Sequence, residues 1–188
     1  DLARSLGVNS PLLDSPSIAL GTSEVNLLEL TAAYNVLANN GKGTFVHGIR
    51  SIENTSGKIL FMREGSGPGK ILESSVVSTM TEMMETTIKS GTGKKARIDR
   101  PAAGKTGTSQ SLRDAWFIGF TSDLVVGVWF GNDDDSSMND ITGGTAPAIL
   151  WSDFMKKAHQ GVPKKSLYYA RDDTKKTIKN DDRIKRII

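Results

Sequence analysis

The chain has 188 residues, enough for one domain, and its 37% hydrophobic and 24% charged residues with 19 glycines exclude a disordered or fibrous polymer. With no cysteine and two isolated histidines, His47 and His159, it has no disulfide framework, thiolate metal site or cysteine nucleophile. The net charge of +3 belongs to the tail, because residues 164–188 carry nine Lys or Arg against four Asp and leave residues 1–163 net acidic.

The first seven residues lack the order of a signal peptide and read as the middle of a helix in a longer chain, and no apolar run reaches the roughly eighteen residues of a membrane span. Thr22-Ser23-Glu24 offers a cap, and Leu27, Leu30, Tyr34, Leu37 and Ala38 recur at helical spacing until Asn39-Asn40-Gly41. Residues 44–53 and 58–62 flank the turn residues Asn54 to Gly57, the pattern of a peripheral β-hairpin. After a glycine-rich connector over 65–69, Val76, Val77, Met80, Met83, Met84 and Ile88 give a second amphipathic helix, the methionines serving as core fillers, which stops at Ser90-Gly91-Thr92-Gly93.

Three strand-like runs follow, at 103–109, 115–121 and 124–132, separated by turns short enough for an antiparallel meander. The third is almost wholly apolar, so helices should cover the sheet on both faces. Beyond an acidic loop over 133–140 and the pair Gly143-Gly144, Pro147 opens a helix whose expected apolar face is Ile149, Leu150, Phe154 and Met155. The three tryptophans, Trp116, Trp129 and Trp151, fall on expected core faces, and Arg113 and Asp114 read as a structural pair or turn cap. The domain is drawn over 1–163, with 164–188 a basic, mobile tail.

The chemistry concentrates in Ala103-Gly104-Lys105-Thr106-Gly107-Thr108-Ser109. A fixed ammonium, several hydroxyls and a glycine that admits ligand to the backbone are what a strand needs to hold a carboxylate beside a reacting carbonyl. Gly-Lys-Thr also occurs in phosphate loops, and residues 99–106 match that spacing except at Asp99, where the loop has glycine. The preceding Arg97-Ile98-Asp99-Arg100 is too charged for the buried strand such a loop follows, residues 107–112 are mostly poor helix formers, and Asp99 would repel phosphate, all of which argues against nucleotide binding. A strand carrying the triplet at the edge of the meander could instead pair with a peptide substrate.

With that site stand Ala19 to Val25, Thr31-Ala-Ala-Tyr34, Ser90 to Ala96, Asp114-Ala-Trp-Phe117, Val128 to Asp133, Thr142-Gly-Gly144, Pro147-Ala148 and Trp151. In this order the motifs resemble the transpeptidase domain of class A penicillin-binding proteins, the bifunctional cell-wall synthases, over nearly the first 160 residues.

The resemblance implies an α/β fold of α+β type, an antiparallel sheet flanked by helices, as part of the penicilloyl-serine transferase (β-lactamase-like) architecture. It implies that Lys105 assists proton transfer and anion binding, and that Thr106, Gly107, Thr108 and Ser109 line the site for D-alanyl-D-alanine or a β-lactam. It also implies that the Thr108 N–H is one of two oxyanion donors. The family's nucleophile lies in a Ser-x-x-Lys motif, and no serine of this chain is followed by lysine three places on. Ser137-Met-Asn139 has the form of the family's Ser-x-Asn but lies after the triplet, out of order.

The expectation is therefore the C-terminal half of a D,D-transpeptidase domain, inert alone, with no cofactor. Its partners are the peptidoglycan stem peptide, β-lactams and an upstream half of the same domain, and nucleic acid is not among them. The parent would work outside the cytoplasmic membrane, anchored through an upstream segment beside a glycosyltransferase domain. Exposed sheet edges could let the chain dimerise or exchange strands. A non-catalytic peptidoglycan or β-lactam binding module, and an anion-binding protein acting through the basic tail, remain as alternatives.

Overall fold

A computed structural model describes residues 1–65 and 67–169. Helix α1 is a single turn, Leu2–Ser5, and a 3-10 turn at Pro16–Leu20 leads to helix α2, Leu27–Ala38. The cap of α2 is Asn26, whose Oδ1 accepts from the Glu29 N–H at 2.9 Å, instead of the expected hydroxyl of Thr22 or Ser23. Those two residues belong to the preceding turn, where Thr22 bonds Ser17 and Ser23 accepts from the Leu13 N–H.

Short strands β1 (Lys42–Gly43) and β4 (Gly69–Lys70) pair around a hairpin of β2 (Ser51–Glu53) and β3 (Ile59–Met62). The hairpin turn is built as its residues require: Asn54 Oδ1 accepts from the N–H groups of Ser56 and Lys58. Its strands are shorter than the expected runs, and every residue in them is exposed.

Helix α3, Ser74–Lys89, buries Val77, Thr81, Met84 and Ile88, a stripe of i, i+4, i+7 and i+11. Met80 and Met83 stay at 37% and 54% exposure, so of the three methionines expected in the core only Met84 is there. The stripe runs one position C-terminal to the one the apolar residues mark, which brings Thr81 inside.

The meander forms as expected, with β5 (Ala103–Thr108), β6 (Asp114–Phe120) and β7 (Val125–Gly131) antiparallel in that order. Alternation divides the sheet into two faces. On one, Phe117, Val126, Val128 and Phe130 meet helix α4, Ala146–Ala158. On the other, Ala103, Phe120 and Val125 meet Met84 of α3 and Tyr34, Leu37 and Ala38 of α2.

Trp151 of α4 is the centre of the first layer, fully buried, edge-on to Phe117 at 5.3 Å between centroids, with its N–H shared by the carbonyls of Gly119 and Val126. Gly119 is glycine because a Cβ there would meet the Trp151 ring and the Ala103 carbonyl. The buried side of α4 is Ala148, Trp151, Ser152 and Met155, whereas Ile149, Leu150 and Phe154 stay 44–50% exposed. The apolar composition of α4 thus marks two faces, and the sheet takes the one centred on tryptophan.

Residues 164–169, assigned to the tail by composition, run back over the domain. Lys164 pairs with Asp99 and Lys165 with Asp123, each at 2.7 Å, and Leu167 is buried between α3 and the sheet cluster. Residues 170–188, the rest of the expected tail, lie outside the described residues.

Candidate active site

The phase of the β5–β6 ladder decides what the triplet presents. The Ser109 N–H donates to the Asp114 carbonyl at 3.0 Å, and bonded pairs in an antiparallel ladder alternate, so Gly107 with Trp116 and Lys105 with Ile118 are the next bonded pairs. The N–H and C=O groups of Thr106 and Thr108 therefore point away from β6, toward the outer edge of β5, where no strand pairs with it among the described residues.

Side chains divide by the same alternation. Thr106 and Thr108 stand on the α4 face, level with Phe117 and Ala115, while Lys105 and Gly107 stand on the α2 face, level with Ile118 and Trp116. The Lys105 ammonium curls round the edge and donates to the Thr106 carbonyl at 2.8 Å. The triplet thus forms a strip of edge with hydroxyls on one side and a cation on the other. Ser109 is drawn out of it: its Oγ accepts from the Asp114 N–H at 2.7 Å and closes the turn into β6.

Two segments not counted among the expected site residues hold the hydroxyls. After α3 the Gly91 and Gly93 N–H groups donate to the carbonyls of Thr86 and Thr87, and between these anchors the Thr92 hydroxyl lies 2.6 Å from that of Thr106. On the same face the Gly143 N–H donates to the Thr108 hydroxyl at 3.0 Å. The Gly143-Gly144 turn lies flat on the site: a Cβ on Gly143 would overlap the carbonyl oxygens of Gly107 and Trp116, and one on Gly144 the carbonyl oxygen of Thr92. Both segments were legible as motifs, Ser90 to Ala96 and Thr142 to Gly144, but their meeting at β5 is not a sequence-local fact.

Gly107 itself has Trp116 across the strand pair, where a Cβ would come 3.2 Å from the Trp116 Cβ, so its smallness serves the ladder as well as the edge. Of the three tryptophans only Trp151 is buried. Trp116 is half-buried and Trp129 is 41% exposed, the two rings 6.4 Å apart on the α2 face, with the Trp129 N–H donating to Asp114 at 2.9 Å. Asp114 thereby serves Trp129 and Arg113 pairs with Asp135 at 2.7 Å, so the two neighbours do not pair with one another.

The chemistry available at this edge is anion and oxyanion recognition. It offers an outward N–H, two hydroxyls with fixed partners and an ammonium, and it contains no nucleophile activated by a base. Among the described residues no cluster of three His, Cys, Asp or Glu could hold a metal ion, and no helix is long and apolar enough to cross a membrane. A recess of about 560 Å³ opens at the other end of β5 between Ile88, Arg97, Arg100, Pro101 and Lys164, away from the triplet.

The family described as the penicillin-binding protein transpeptidase domain matches residues 5–150. Penicillin-binding protein 1A of Aquifex aeolicus is 37% identical over 151 residues, covering 78% of this chain but 20% of that protein, so the chain spans about a fifth of that relative's length. Among solved structures, penicillin-binding protein 1A of Haemophilus influenzae superposes with a TM-score of 0.78 at 24% identity, covering 89% of this chain and 31% of that one. PonA1 of Mycobacterium tuberculosis, solved in complex with penicillin V, gives a TM-score of 0.77 at 22% identity, covering 88% and 50%. The two structures carry the fold, with the antiparallel sheet and flanking helices found here, and the family match carries the membership. The chain belongs to the transpeptidase-domain family of the penicillin-binding proteins, in its class A division.

Proposed function

We propose that this chain supplies the carboxylate-binding wall and one oxyanion donor of a serine D,D-transpeptidase that cross-links peptidoglycan and is acylated by β-lactams. The observation that carries the reading is the outer edge of β5, where the Thr108 N–H and the Thr106 and Thr108 hydroxyls are presented together beside the Lys105 ammonium. A peptide ending in D-alanyl-D-alanine adds to this edge as a strand. Its terminal carboxylate takes the two hydroxyls, and its penultimate carbonyl oxygen takes the Thr108 N–H.

The serine that attacks that carbonyl belongs to a Ser-x-x-Lys motif, which this chain does not contain. An upstream half of the same domain provides it, together with its own N–H as second oxyanion donor. D-alanine leaves with the proton taken from the serine, relayed through the upstream Lys and Ser-x-Asn groups next to Lys105. An amine of a neighbouring stem peptide then attacks the ester, forms the cross-link and frees the serine. No metal or organic cofactor enters these steps.

Two features support docking of an upstream half. Strand β7 has no partner on its outer side among the described residues, and α4 turns Ile149, Leu150 and Phe154 outward. The parent polypeptide works outside the cytoplasmic membrane and is anchored by an upstream segment.

The test is intact mass after incubation with benzylpenicillin, for this chain alone and mixed with the upstream half. The expected result is no adduct on this chain in either sample and an acyl adduct on the upstream half only in the mixture. An adduct on this chain would overturn the assignment of the nucleophile, and acylation of the upstream half without this chain would overturn the role given to β5.

A further inference from the structure

Each hydroxyl on the β5 edge has one proton and can accept as well as donate, so its neighbours decide which it offers to a ligand. Thr108 is settled by Gly143: its oxygen accepts from the Gly143 N–H at 3.0 Å, which leaves its proton to be donated outward. Among the described residues Thr106 has only Thr92, whose hydroxyl lies 2.6 Å away and could stand as donor or acceptor. If Thr106 donates to Thr92, it faces a ligand with lone pairs and repels an anion. If Thr92 donates to Thr106, the Thr106 proton is free for the carboxylate, and the chain from Thr92 to Thr106 to carboxylate polarises in one direction.

Thr92 is not a chance neighbour. The backbone bonds from Gly91 to Thr86 and from Gly93 to Thr87 fix the loop on the end of α3, Gly93 is buried against Phe117, and the Gly143-Gly144 turn lies on the Thr92 carbonyl. The Thr92 hydroxyl is held in place before any ligand arrives, so little ordering is left for binding to supply.

Building on the function proposed above, we propose that Thr92 is a positioning residue for the substrate carboxylate: its hydroxyl donates to Thr106 and so turns the Thr106 proton toward the anion. Thr92 touches neither the reacting carbonyl nor the serine. Its effect is confined to ligands that bear the carboxylate.

The experiment uses the longer polypeptide that carries the Ser-x-x-Lys serine. It compares second-order acylation constants for benzylpenicillin and for its methyl ester, in the unmodified protein and in Thr92→Val, Thr92→Ser, Thr106→Val and Thr108→Val. Loss of the Thr92–Thr106 hydrogen bond, and with it the orientation of the Thr106 proton, predicts a fall of about three- to tenfold for benzylpenicillin in Thr92→Val. The ester constant should stay within about twofold, and Thr92→Ser should restore benzylpenicillin.

An unchanged benzylpenicillin constant in Thr92→Val, or an equal fall for both compounds, would sink the proposal; the equal fall would make Thr92 a packing residue. If Thr106→Val slows benzylpenicillin while Thr92→Val does not, Thr92 loses its role and the β5 reading stands. If Thr106→Val and Thr108→Val both leave benzylpenicillin untouched, the β5 reading itself falls and this proposal with it.

Discussion

Two β regions of this chain have similarly apolar strands and opposite fates. In the meander, Phe117, Ile118 and Phe120 are at most 2% exposed, covered by α4 on one face and by α2 and α3 on the other. In the hairpin, Ile52, Ile59, Leu60, Phe61 and Met62 are 42–62% exposed, and Phe45, Val46 and Ile49 on its approach are equally open. Alternation and turn residues are enough to make a strand pair, whereas burial needs an amphipathic helix near enough in the chain to fold back over it. The meander has such helices before and after it, and the hairpin has one two-residue strand on either side, β1 and β4, paired with each other. The edge proposed to bind substrate lies in the covered region, where packed neighbours hold its hydroxyls.

The sharpest way to test this contrast is to remove the residue that ties sheet to helix. Trp151→Ala deletes a fully buried ring and leaves the Gly119 and Val126 carbonyls without their shared donor. A loss of about 3–5 kcal/mol in urea unfolding is expected. A loss below about 1 kcal/mol would mean that α4 is not the lid of this sheet. Gly143→Ala should have the next largest effect. The added methyl group cannot fit above the Gly107 and Trp116 carbonyls, so the turn lifts, at a cost of about 1–3 kcal/mol, and the Thr108 hydroxyl loses its donor. In the longer polypeptide, benzylpenicillin acylation should fall by more than the stability change explains.

How far the sequence carried the reading differs between the same regions. The meander, its order and its turns were legible because alternation, short turns and flanking helices all agreed. The register that turns the backbone groups of Thr106 and Thr108 outward was not, since it is set by the whole β5–β6 ladder and by the two bonds that Ser109 makes with Asp114 at its end. The buried face of α4 was misread because Ile149, Leu150 and Phe154 are as apolar as the face that is used, and helical periodicity does not say which of two apolar stripes finds the sheet. Trp129 was expected inside, yet its N–H reaches Asp114 at the exposed end of the sheet, an indole with a polar partner at hand. Thr92 could be found as part of a motif but not as a partner of Thr106, fourteen residues away.

A smaller effect concerns the strap formed by residues 164–169. The Lys164 ammonium bonded to Asp99, and the Lys165 ammonium bonded to Asp123 with help from the Ser122 hydroxyl, hold both carboxyls below the usual carboxylate range. Because these pKa values are lower folded than unfolded, the ion pairs contribute above the unfolded value of about 3.9 and are lost as pH falls through the folded values. Acidification below about pH 4 should release Leu167 from its cluster before the meander opens. The check is the Leu167 methyl resonance, which should move toward its unfolded position while those of Val126 and Val128 stay native. Simultaneous movement of all three would mean that the strap has no separate stability.

The smallest effect is expected in the hairpin, and it is the one that could break the comparison. Leu60 is 62% exposed and lies in β3, a strand with no helix over it among the described residues. Leu60→Ser removes apolar surface that the fold already leaves in water, so unfolding of the isolated chain should change by no more than about 0.5 kcal/mol. Its yield in soluble form should rise, because one large exposed apolar side chain is gone. A loss above about 1 kcal/mol that grows with protein concentration would mean instead that hairpins of two copies cover one another. The difference between the two β regions would then be that the meander is covered by its own chain and the hairpin by another.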